Sequence, residues 1–140
     1  MILVLVDAHS KWIDAHIVSS ATSSVTIEHL MQTFATYGLP KSLVSDNCSC
    51  FTSEEFCTFM KTNGVHHITS SHYHTASNGL AERAVEEVKH GLRKIEGGSL
   101  QNKLCRVLAR YRITPHSTIG TSPADLLLKH HLRHIATRYF

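Results

Sequence analysis

Residues Ile2 to Val6 are consecutive apolar positions with no polar residue among them. A strand that exposes one face to water alternates apolar with polar, whereas an unbroken run needs cover on both faces. The chain must therefore lay apolar elements on either side of this strand. At 140 residues it is one domain, able to bury roughly two thirds of its unfolded surface without cross-links. Asp7 ends the run too early for a signal-peptide core or a membrane span. The cysteines Cys48, Cys50, Cys57 and Cys105 form no secretory framework, so a reducing intracellular compartment is expected. A net charge of +3 is compatible with a polyanion partner without requiring one.

The Asp7–Lys11 stretch reads as a turn, and Trp12–Val18 as a half-buried hairpin partner. Ser23, Ser24 and Thr26 are candidate caps for a helix with Ile27, Leu30, Met31 and Phe34 on one face, stopped by Gly38 and Pro40. Lys41–Ser45 returns as a strand. Thr52-Ser53-Glu54-Glu55 fits a capping box opening a short helix that closes at Asn63-Gly64. Val65–Thr69 reads as a strand, and Ser70–Gly79 as a mobile loop.

From Asn78 the pattern is helical, with Ala81, Val85, Val88, Leu92 and Ile95 on one stripe. Glu82, Glu86, Lys89 and Arg93 form a second stripe, and Glu82, Lys89 and Arg93 fall within about 20° of one line. A phosphodiester backbone could run along that line, although a solvated charged face produces the same pattern. A further helix carries Leu100, Leu104, Val107, Leu108 and Tyr111. Ser122-Pro123-Ala124-Asp125 opens a last one. The expected organisation is a core over residues 1–128 and a basic, peripheral tail over 129–140.

Asp46 closes a strand and Glu82 lies in the first turns of a helix, with 35 residues between them. Two carboxylates on rigid elements could clamp a hard divalent cation such as Mg²⁺ or Mn²⁺. Cys48-x-Cys50 with His66, His67, His72 and His74 admits a zinc reading, but the cysteine spacing is short and no second pair follows. Small loop cysteines are preferred. No Gly-x-Ser-x-Gly elbow or Gly-rich phosphate loop is present.

Taken together, Val6-Asp7-Ala8-His9-Ser10-Lys11-Trp12, Leu43–Asn47, Phe51–Phe56, Asn78–Arg83 and Tyr111–Ser117 resemble the integrase catalytic core of gypsy-type long-terminal-repeat retrotransposons and its retroviral relatives. The resemblance covers nearly the whole chain. It implies an α/β fold, a ribonuclease H-like mixed sheet flanked by helices, and a D-D-E triad holding two metal ions for attack on a phosphodiester. By position Asp46 resembles the second acid and Glu82 the third. These are the expected catalytic and metal-binding residues, with Asn47, Asn78, Lys89 and Arg93 expected on nucleic acid.

The family's first acid lies on a central strand that would precede Ile2–Asp7. Asp7 matches the following strand and is read as a turn residue outside the triad. Without that strand, Ile2–Val6 and Leu43–Ser45 are expected to face a gap or to pair directly. Magnesium or manganese should then bind weakly or not at all, leaving an inactive core. The alternative is a domesticated, non-catalytic module that binds nucleic acid or protein. DNA is the expected partner and a homodimer is allowed, with no membrane or small-molecule cofactor, and DNA as substrate implies the nucleus. Near the acids, Cys48 stands where the family has a glycine, which would strain the chain if φ were positive there. Cys50 replaces a glutamine and Thr75 a proline.

Overall fold

The computed structural model describes residues 1–70, 75–129 and 134–140, with residues 75–78 and 129 described by backbone alone. Strands β1 (Ile2–Asp7) and β2 (Ile13–Ile17) form an antiparallel hairpin. Its turn is closed by Asp7, whose Oδ2 accepts from the Ser10 amide at 2.9 Å and the Ser10 hydroxyl at 2.6 Å. Lys11 takes a positive φ of 62° to complete it.

Helix α1 (Ser23–Tyr37) starts one residue earlier than the expected caps. Thr22 is its N-cap, accepting from the Val25 amide. Thr26 is instead buried, and Met31, expected on the core face, is 58 % exposed while Thr33 is buried. Strand β3 (Ser42–Ser45) leads to α2 (Ser49–Thr52) and α3 (Glu54–Thr62). Thr52 ends α2, so Ser53 rather than Thr52 caps α3, accepting from the Phe56 amide at 3.2 Å. Strand β4 (His66–Thr69) follows.

Helix α4 runs Thr75–Arg93, so the second half of the expected loop is helical; residues 71–74 lie outside those described. The helix ends before Ile95. Helices α5 (Leu100–Ile113) and α6 (Pro123–Lys129) are capped by Ser99 and Ser122, which accept from the Asn102 and Asp125 amides.

The chain then forms β5 (His134–Tyr139), and the sheet order is β2-β1-β5-β3-β4. This corrects the expected gap and the expected peripheral tail. β5 runs antiparallel to β1, with Val4 opposite Arg138, and parallel to β3, with Ser45 opposite Thr137. The physical reason is that β1 and β3 would each present a row of unpaired amides and carbonyls inside the protein, and one strand satisfies both. Of the basic stretch 129–134 that suggested a peripheral tail, residues 130–133 lie outside the described residues.

Two cores flank the sheet, as the apolar run of β1 requires. Ile2, Val4 and Val6 join Ala81, Ala84, Val85 and Val88 of α4, together with Leu104 of α5. Leu3 and Leu5 join Leu30, Phe51, Phe56 and Met60 on the other face. β5 serves both, with Ala136 facing α4 and Ile135 facing α1 and α3.

Candidate active site and nucleic-acid face

Asp46 follows β3 directly. The strand's end is fixed by Ser45, whose hydroxyl lies 2.8 Å from His67 Nε2 and whose carbonyl accepts from the Ser70 amide at 2.9 Å. Asp46 Oδ1 accepts from the Cys48 amide at 3.0 Å, closing an Asx-type turn into α2. Cys48 has φ −56°, so the positive φ on which strain there depended does not occur. Its sulfur lies 3.3 Å from that of buried Cys50. Burial and the neighbouring Cys48 thiol push the Cys50 thiol up to about 12, so it stays protonated. Among the described residues no three His, Cys, Asp or Glu side chains gather as a metal site. His72 and His74 of the zinc reading lie outside that set.

Glu82 is carried by α4, whose position is set by the buried alanines Ala81 and Ala84 against β1 and β5. Small residues let the helix approach the sheet closely, and the carboxylate projects past it. Glu82 Oε1 meets Arg138 of β5 at 2.9 Å. Extending the β5–β3 register one step beyond Ser45–Thr137 puts Arg138 level with Asp46. The guanidinium's contact is with Glu82, while Asp46 turns to the Cys48 amide.

The remaining expected residues divide. Arg93 lines a groove of ≈ 1180 Å³ together with Lys11, Glu82, Arg83 and His116. Lys89 turns elsewhere, 3.8 Å from Glu86 and 5.2 Å from the centroid of the Phe140 ring. Asn47 is exposed beside Asp46. The Asn78 side chain lies outside the described residues. Sequence reasoning missed Arg138 and Phe140. Their signal was the β-prone run Ile135-Ala136-Thr137-Arg138-Tyr139, masked by the basic stretch before it.

The donor set does not fit a divalent ion of the integrase type. Mg²⁺ needs near-octahedral oxygen ligation and gives up water reluctantly. Here Asp46 Oδ1 is engaged by an amide and Glu82 Oε1 by a guanidinium. No acidic residue stands on β5.

The family model for the integrase core domain matches residues 1–75. An uncharacterized protein of Caenorhabditis elegans, K02A2.6, is 39% identical over 127 residues, covering 89% of this chain and 10% of that protein. The chain thus spans about a tenth of that relative's length. A simian T-cell lymphotropic virus intasome, solved in complex with a PP2A regulatory subunit, superposes with a TM-score of 0.80 at 26% identity, over 89% of this chain and 47% of that one. The catalytic core domain of HTLV-2 integrase in complex with magnesium, in a trimeric form, gives 0.74 at 24% identity, over 87% and 80%.

Proposed function

This chain belongs to the integrase core domain family, of the retroviral and retrotransposon type, and from that membership we propose a DNA-binding core that performs no metal-dependent strand transfer as it stands. Support beyond membership is limited to the groove along α4, where Lys11, Arg83 and Arg93 stand among Glu82, Glu86 and Glu87. The arginines of such a groove could hold phosphates, and contacts of that kind position a duplex without reading its sequence. Arg93 holds phosphate in this account, with Lys89, Asn47 and Asn78 at its margins. Nuclear residence follows from DNA as partner. No helix among the described residues is long and apolar enough to cross a membrane.

Catalysis in this family needs a nucleophile and a leaving oxygen steadied by metal. Asp46 and Glu82 would be its ligands, and the engagement of both argues against that step. The test is fluorescence anisotropy on labelled duplex DNA, with a nicking assay alongside. Binding should survive chelation, and Arg93→Ala should weaken it and reduce the salt slope by about one. Nicking in Mn²⁺ that Glu82→Gln abolishes would overturn the non-catalytic part.

A protein-binding reading has its own support in Ile113 and Leu128, which are 72% and 87% exposed. Ile113 ends α5 and Leu128 lies on α6, two helices in contact, and large exposed apolar groups on them suit contact with a second copy. Sedimentation of the wild type against Ile113→Lys separates this from DNA binding.

A further inference from the structure

We infer that β5 carries its own cation into the carboxylate site, with Arg138 occupying the position at which a divalent ion would have to bind. This deepens the proposed non-catalytic reading and rests on it only for the placing of Asp46 and Glu82 at the site.

The segment is built for its slot on both faces. Ile135, Ala136 and Thr137 are buried. The Thr137 hydroxyl donates to the Val4 carbonyl at 3.0 Å. His134 Nδ1 lies 2.7 Å from the Ser42 hydroxyl, and the Tyr139 hydroxyl 2.7 Å from that of Thr26. Beyond the strand, Phe140 and Ile2 exchange backbone hydrogen bonds at 2.7 and 3.0 Å. These contacts pin the residues on either side of Arg138, so its side chain has little choice of face. Alternation from Ala136, which packs toward α4, directs Arg138 to the same side. There it meets Glu82.

Arginine stays charged at any pH the protein survives. Its guanidinium therefore acts as a permanent counter-ion for Glu82. A second cation entering beside Asp46 would meet both a like charge and a carboxylate already in use. The arrangement makes the strand that completes the sheet the same element that closes the site to metal.

The test is Mn²⁺ binding to the full 140-residue chain, followed by the electron paramagnetic resonance signal of free Mn²⁺. Arg138→Asp reverses the charge at this level and should tighten binding by about tenfold or more. Combining it with Glu82→Gln should abolish that gain. Arg138→Gln, which keeps the size and removes only the charge, should give a gain of about threefold and protects the test against misfolding of the aspartate variant. Unchanged Mn²⁺ affinity in the folded Arg138 variants would overturn the proposal. Amide hydrogen exchange on the wild type gives a second arm. The Ile135–Thr137 amides should be protected as strongly as those of Leu3–Leu5, and free exchange there would equally overturn it. Failure of DNA binding alone would leave these outcomes unaffected and count only against the function proposed above.

Discussion

The hydroxyls of Thr26 and Tyr139 stand 2.7 Å apart, joining the first turn of α1 to the end of β5 across 113 positions of sequence. Thr26 donates to the Thr22 carbonyl at 2.7 Å, so it receives its second bond from the tyrosine. Removing the phenolic oxygen leaves a buried acceptor without its donor. Tyr139→Phe should cost about 1 kcal/mol. Urea unfolding should show a lower midpoint with an unchanged slope, and an unchanged midpoint would mean that β5 is not docked there.

Arg112 fastens α5 to the hairpin. Its Nε and Nη2 both donate to the Ile13 carbonyl, at 3.1 and 2.8 Å, and its guanidinium lies 4.1 Å from the centroid of the Trp12 ring. A lysine keeps the charge and loses both the fork and the stacking plane. Arg112→Lys should destabilise by about 1–3 kcal/mol. Thermal unfolding followed at Trp12 fluorescence measures it, and a conservative outcome within error would contradict the anchoring role.

Helix α4 meets α5 closely at Gly91, where an added Cβ would sit 2.6 Å from Val107 Cγ1. Alanine favours a helix over glycine by about 1 kcal/mol, yet a branched side chain this close must move, at about 1–3 kcal/mol. The steric cost should win. Gly91→Ala should lower the unfolding midpoint, and pairing it with Val107→Ala should recover most of the loss. A stabilised single variant would show that the helices separate freely.

Acid should weaken the fold through His67. Burial first, and His66 second, hold its imidazole below the ordinary 6.5. Below that value the unfolded chain takes up a proton that the folded chain still refuses. Stability is therefore full above about 6.5 and falls as pH drops through it toward the lower folded value. His29, lowered by burial and by His16, acts in the same direction. Urea midpoints at about pH 7.5 and 5.5 should differ, and His67→Gln should narrow the difference. An equal difference in both proteins would remove His67 from the explanation.

How far the sequence was legible follows from which signals are local. The run Ile2–Val6 and the stripe Ala81, Val85, Val88 specify β1 and α4 by period alone, and both lie where that period puts them. The cap of α1 was misplaced by one residue because Thr22 and Ser23 are chemically equivalent there; only tertiary burial of Thr26 decides between them. β5 was hidden for a different reason. A short strand with one arginine looks like a peripheral tail until the two edges it joins are known, and those edges come from residues about a hundred positions earlier. The same non-locality concealed Arg138 as the partner of Glu82, whereas Asp46 and Glu82 are expected at the site through the family motifs alone.

The account turns on a guanidinium standing where metal would be held. A crystal of the full chain soaked in MnCl₂ and measured for anomalous scattering tests this directly. The expected map shows Arg138 against Glu82 and no manganese peak between Asp46 and Glu82. A strong peak bridging those two carboxylates, with Arg138 displaced, would contradict it.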